Sequence, residues 1–235
     1  MSKNIKLLVY VALWKRHELS KRVLNVLKSW KIEGFDIDLF CVISEDGSKK
    51  TCEDLGIEYC WTENKPVGKK MNFGLFSLKD KDFDYLMQLG SDDFVHKDIF
   101  KLYADSFKNN DPYFGVKEYY AVDEKNKRAQ YWKYDVNHPT NHARFIRKDV
   151  LEKMAFNIWP DHLNSGLDTN SDVNLIKGGY RCKIYDTKKF PYIVDVKTET
   201  NIWTYDELVG GIDCDYEVPL KTIKGCEESL AQLEI

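Results

Sequence analysis

Two near-continuous apolar runs close to the start of the chain, Ile5-Lys-Leu-Leu-Val-Tyr-Val-Ala12 and Ile37-Asp-Leu-Phe-Cys-Val-Ile43, leave few folds open. Strands that are apolar at successive positions are buried on both faces, as in the parallel sheets of α/β proteins. Between them Leu19, Val23, Val26, Leu27 and Trp30 fall on one face of a helix that Gly34 stops. The same grammar continues with a short helix over 50–55 reaching Gly56 and a strand over 57–61. A helix over 69–78 follows on the Met71, Leu75 and Leu78 spacing, and then a short strand over 85–89. Repeated strand–helix–strand units imply an α/β architecture: a mixed, mainly parallel sheet flanked by helices and joined by right-handed crossovers.

After Asp93 the pattern loosens. A helix carries Ile99, Phe100, Tyr103 and Phe107 on its apolar side, and two aromatic-rich runs, 113–122 and 129–134, flank a polar turn and suggest a hairpin. Residues 142–147 read as a strand feeding a helix from 149 to 154, and the tail 226–235 as a short helix. No linker, repeat or low-complexity stretch divides the 235 residues, which read as one domain with a nucleotide-binding front half (1–95) and a specialised back half (96–235).

With 43% hydrophobic and 14% aromatic residues the chain fills a sizeable core, which excludes a mostly disordered protein. The 35 basic residues against 38 acidic ones give −3, against bulk electrostatic capture of nucleic acid or anionic membrane. No apolar run approaches the ~20 residues that span a bilayer, and the N-terminus runs into a strand without a signal-peptide region. The six cysteines are scattered without Cys-x-x-Cys spacing, so reduced structural thiols and a cytoplasmic location are expected.

Four segments carry chemistry. Leu86-Met-Gln-Leu-Gly-Ser-Asp-Asp-Phe94 places Asp92 and Asp93 beyond a strand's carboxyl end, where ligands of open α/β sheets gather. Adjacent carboxylates there suit a hard cation such as Mg²⁺ or Mn²⁺ clamping a diphosphate, or Ser91 or Asp92 simply caps the next helix. Ser44-Glu-Asp-Gly-Ser48 is a second acidic strand end, able to meet a base or ribose or to form an ordinary turn. Gly68, Lys69, Lys70 and Asn72 open a helix suited to an anion, without P-loop spacing. Asp168, in a polar loop ahead of a helix ending at Gly178-Gly179, can serve as a general base or as a cap; Asp172 reads chiefly as a cap.

In order and separation these segments resemble glycosyltransferase family 2, the inverting nucleotide-sugar transferases of GT-A (Rossmann-like) fold, over residues 5–182. The family's Asp-Asp-Gly-Ser turn matches Glu45-Asp46-Gly47-Ser48, its Gly-x-x-x-Ala-x-Asn-x-Gly-like segment matches Gly68 to Gly74, and its Asp-Asp metal motif matches Asp92-Asp93. Its Glu-Asp base motif matches Leu167-Asp168. The resemblance implies that Val11, Glu45 and Asp46 line the nucleoside and that Lys69 and Asn72 sit near the donor. Asp93 with Asp92 would bind Mn²⁺ or Mg²⁺, and Asp168 would deprotonate the acceptor hydroxyl. A UDP-sugar is the implied donor; the acceptor, whether glycan, protein, small molecule or modified nucleic acid, stays open.

Two departures stand out. Leu167 replaces an acidic residue before the base, which leaves Asp172 as a substitute, and no histidine follows His162 to complete the metal site, so that Asp195, Asn201 or water would do so. His142 reads as structural, Trp132, Trp159 and Trp203 as core or sugar-stacking, and Lys183, Lys188 and Lys189 as a solvated basic face. A sugar-phosphate nucleotidyltransferase would carry a glycine-rich loop after the first strand, which 12–16 lacks; a non-catalytic nucleotide-binding module would have no need of Asp92, Asp93 and Asp168 together.

Overall fold

The computed structural model describes residues 3–134 and 137–231. Its first half follows the expected alternation: β1 (Ile5–Ala12), α1 (His17–Ser29), β2 (Phe35–Ile43), α2 (Asp46–Leu55), β3 (Glu58–Trp61), α3 (Val67–Phe76) and β4 (Tyr85–Gly90). The apolar run of β1 is central, parallel to β2 on one side and β4 on the other. It therefore needs hydrophobic residues on both faces. The apolar stripe of α1 is buried through Leu19, Val23, Leu24, Val26 and Leu27. Gly56, in the left-handed region at φ 62°, ends α2 as expected.

The second half departs more. β5 (Asp93–Val95) is followed by two short helices, α4 (Ile99–Leu102) and α5 (Ala104–Lys108), where one was expected. The aromatic run 113–122 splits at Lys117 into β6 (Tyr113–Val116) and β7 (Glu118–Asp123), which belong to different sheets. All ten residues but Lys117 are buried, so no polar alternation marks the switch. The expected hairpin is formed by β7 and β8 (Arg128–Lys133). Then come β9 (Arg144–Arg147), α6 (Lys148–Lys153), α7 (Leu167–Lys177), β10 (Lys183–Tyr185), β11 (Ile193–Val196), β12 (Ile212–Cys214) and α8 (Glu217–Ala231). The part of the expected tail helix beyond 231 lies outside the described residues.

The larger sheet has the order β10-β6-β9-β4-β1-β2-β3 and is parallel except at β9. The smaller sheet, β12-β8-β7-β11-β5, is mainly antiparallel. The mixed, mainly parallel α/β architecture is thus present, with an additional sheet whose shortest strands gave no sequence signal. One apolar cluster joins a face of the large sheet to α1 and the small sheet; another packs Met71, Leu75, Leu151, Trp159 and Leu175 under the opposite face. Among the described residues no helix is long and apolar enough to cross a membrane.

Candidate active site

The chain leaves the large sheet at Gly90 and enters the small one at Asp93, and that crossing builds the site. The Gly90 N–H donates to Asp93 Oδ2 at 2.5 Å. A Cβ at residue 90 would lie 2.7 Å from Asp92 Oδ1 and 2.8 Å from Asp93 Oδ2, so the acidic bend folds this tightly only over glycine. In the antiparallel β5–β11 ladder Asp93 stands directly opposite Asp195. Like charges facing each other across a ladder destabilise it unless something between them is positive.

Between them sits His142, from the segment entering β9. Its Nε2 lies 3.5 Å from Asp93 Oδ1 and 3.6 Å from Asp195 Oδ2. One ligand atom from each of the three residues lies within 4.8 Å of the others. Asp93 Oδ1, Asp195 Oδ1 and His142 Nδ1 are buried without a hydrogen-bond partner. Burial, opposed by His142 and reinforced by the charges of Asp92 and Asp195, pushes the Asp93 carboxyl up to about 7. Burial likewise raises Asp195, against the pull of Lys197, whose Nζ is 2.5 Å from Asp195 Oδ2. Two carboxylates and an imidazole with orphaned buried oxygens are a donor set that a divalent Mn²⁺ or Mg²⁺ ion fits.

Asp92, expected beside Asp93 on the metal, has one oxygen engaged elsewhere. Its Oδ2 accepts from Arg16 Nη1 at 2.7 Å and from Asn201 Nδ2 at 2.6 Å, while Arg16 Nη2 holds Ser91 Oγ at 2.9 Å. Burial works against its charge, but Arg16 and Lys197 outweigh it and hold the carboxyl below its usual range. Lys15, Arg16 and Ala143 all adopt left-handed backbone, with φ of 55°, 50° and 51°. Strained non-glycine residues of this kind cluster at functional sites.

A cleft of about 250 Å³ opens over the cluster, lined by Trp14, Arg16, Lys70, Asp93, His142 and Asp195 among others. Ile202 and Trp203 line it too and are more than half exposed. Lys70, not the exposed Lys69, faces this cleft; its Nζ donates to Leu13 O at 2.6 Å and to Asn64 Oδ1 at 3.1 Å. Burial lowers Lys70 to about 8.

The remaining expected nucleoside and donor residues are placed elsewhere. Val11 is sealed in β1 between Cys41 and Leu89, and the cleft wall begins at Ala12. Glu45 caps α2, accepting from Gly47 N at 2.9 Å and Ser48 N at 3.0 Å, and Asp46 is an exposed residue of that helix's first turn. Asn72 is buried in the opposite direction: its amide donates to Trp159 O and Asp161 Oδ1 and accepts from the N–H groups of Ile158 and Trp159. Gly68 is needed for that same packing, since a Cβ there would lie 2.1 Å from Pro160 O. The glycine-rich segment therefore serves helix packing more than anion binding.

Asp168 lies inside the first turn of α7, not ahead of it, half-buried, with Oδ2 accepting from the Tyr134 hydroxyl. Burial, with Asp195, Tyr134, Asp168 and Asp93 adding to it, raises the Tyr119 hydroxyl. Leu167 also lines the cleft. Asp172 is buried against His138 and does not open to solvent. Sequence reasoning set His142 aside, named Lys70 only beside Lys69 as part of an anion-suited helix start, and missed Arg16 and Lys197. A ligand set drawn from residues 93, 142 and 195 has no local spacing to betray it.

No protein-family model matches the chain, and no curated protein sequence matches it. Solved structures do. S. aureus TarS 1-349 in complex with UDP-GlcNAc superposes with a TM-score of 0.61 at 16% identity, covering 84% of this chain and 60% of that one. TarS 1-349 in complex with UDP gives 0.58 at 16% identity, covering 83% and 61%. Longer TarS coordinates give 0.62 at 15% identity, covering 82% of this chain and 37% of the other. The chain thus spans about 60% or less of the length of the structures it resembles. At such identity the likeness is one of architecture, and the architecture is the GT-A fold.

Proposed function

We propose that the chain is a metal-dependent glycosyltransferase that moves a sugar from a UDP-sugar to an acceptor hydroxyl with inversion, acting as one GT-A-like domain. The observation that carries this reading is the Asp93–His142–Asp195 cluster, with its orphaned buried oxygens, in a cleft at the carboxyl ends of the central strands. TarS of the same fold has been seen with UDP-GlcNAc and with UDP, which supports a uridine nucleotide here.

Asp93, His142 and Asp195 would hold Mn²⁺ or Mg²⁺. When bound, such an ion neutralises charge gathering on a departing diphosphate. Arg16 and Lys70 add cationic hydrogen-bond donors to the cleft wall. Lys70 has only neutral acceptors in its two hydrogen bonds, so its charge remains available to an anionic ligand. Asp92 holds Arg16 and Asn201 in place rather than binding the ion. On the acceptor side Asp168, held by the Tyr134 hydroxyl, takes the proton as the acceptor oxygen attacks the anomeric carbon opposite the leaving group. Attack from that face inverts the centre. Cysteines that form no disulfide among the described residues accord with a reducing, cytoplasmic setting.

A panel of sugar nucleotides tests this, with nucleotide release and thermal shift recorded in Mn²⁺, Mg²⁺ and chelator. One UDP-sugar should be turned over only with metal, and Asp168→Asn should lower transfer strongly while leaving the UDP-dependent melting shift intact. A panel without turnover or shift would refute the reading, and full transfer by Asp168→Asn would remove Asp168 from it.

A further inference from the structure

A second pair of titratable groups stands one helical turn along α7 from Asp168. Asp172 is 1% exposed, its Oδ1 has no hydrogen-bond partner, and its Oδ2 is hydrogen-bonded to His138 Nδ1. His138 lies in the segment between β8 and β9 and keeps 22% of its side chain exposed. Its Nε2 makes no hydrogen bond among the described residues. A carboxylate that binds one imidazole nitrogen fixes the tautomer: Nδ1 carries the proton and Nε2 offers its lone pair outward.

The surroundings of Asp172 include a buried cation. Arg144 on β9 is fully buried, yet its guanidinium hydrogen-bonds only neutral groups: Gln88 and Ser171 at 2.8 Å each, and the Tyr113 hydroxyl at 3.4 Å. Arg144 and Asp172 act with opposite sign on both Tyr113 and Cys182, which places the two charges around common neighbours. The charged and titratable groups about the pair are therefore Asp168 and Asp172 on α7, Arg144 on β9, Tyr113 on β6, Cys182, and Tyr134.

We propose that His138, oriented by Asp172, is a second proton acceptor for the attacking hydroxyl, sharing that work with Asp168. This deepens the transferase reading and rests on it. The acceptor O–H bond breaks with its proton passing to Nε2, and the oxygen's electron pair forms the bond to the anomeric carbon. The bond from that carbon to the diphosphate oxygen breaks, and its pair leaves on the diphosphate. Asp172 stabilises the imidazolium until it returns the proton to solvent. One Asp168 oxygen is already held by the Tyr134 phenol whereas His138 Nε2 is not engaged among the described residues, which gives the second acceptor its use.

The test uses the full chain with Mn²⁺ and UDP-GlcNAc, water serving as the acceptor, and reads UDP release. His138→Gln should lower release at least about tenfold while the UDP-dependent melting shift stays as in the wild type. In His138→Ala, added imidazole should restore part of the rate. Asp172→Asn should lower release with His138 present and add nothing in the His138→Gln background. Residual release by Asp168→Asn should fall further in the double variant with His138→Gln. Release by His138→Gln within about twofold of wild type, or no imidazole rescue of His138→Ala, overturns the proposal. The rescue leaves the fully buried Asp172 unchanged, so it decides the matter even if Asp172→Asn does not fold. Absence of UDP release and of any UDP-dependent shift in the wild type would instead sink the transferase reading itself.

Discussion

Replacing Asn72 by alanine separates two roles that its position in the motif confounds. As a donor-contacting residue it would be dispensable for folding and needed for nucleotide affinity. Its surroundings argue the reverse. The amide joins α3 to the segment after α6 through bonds of 2.6 Å to Trp159 O, 2.7 Å to Asp161 Oδ1, and 3.1 Å from each of Ile158 N and Trp159 N. Truncation strands three buried backbone groups, each of which costs about 1–3 kcal/mol when unsatisfied, so a loss of about 3 kcal/mol is the low end. For a chain of this size that is a fall in Tm of roughly 6–12 °C. Urea unfolding and differential scanning fluorimetry measure the loss, and UDP titration of the still-folded variant measures affinity. An Asn72→Ala protein as stable as wild type but unable to bind nucleotide would refute the packing argument and return Asn72 to the donor site.

Other perturbations follow from the cleft. Asp93→Asn should eliminate the melting shift produced by Mn²⁺ alone, whereas Asp92→Asn should leave a metal-dependent shift in place; equal losses would restore Asp92 to the ion. Lys70 titrates near 8 in the fold against 10.5 normally, so between those values the unfolded chain holds more protons and stability rises with pH. The gap is worth about 3 kcal/mol, fully levied below pH 8, and the difference between wild-type and Lys70→Met unfolding curves from pH 7 to 10.5 should show it. A flat difference would mean that Lys70 is not charged at a cost in its burial.

The central strands and α1 were legible because their signal is local: β1 is apolar at nearly every position and α1 repeats with helical period. β5 was not, since it is three residues long and opens with an aspartate that reads as part of a turn. The Asp-Asp motif was read with one task for both members, whereas Asp92 Oδ2 is engaged by Arg16 and Asn201. The side on which each points depends on the β5–β11 pairing, which sequence spacing does not encode. His142 was invisible as a cluster member for a related reason, because its partners lie 49 and 53 residues away along the chain. Gly68 and Asn72 were recognised by pattern, yet the backbone they contact belongs to residues 158–161, far downstream.

The cluster's three members come from both sheets: His142 from the approach to β9 in the larger, Asp93 and Asp195 from facing strands of the smaller. No fragment containing only one sheet owns the socket. Cation capture is therefore coupled to the docking of the two sheets, and an ion held there acts as a rivet that draws its holding power from the completed molecule alone. Loading with Mn²⁺ should slow the parting of the sheets more than it slows fraying anywhere else in the chain.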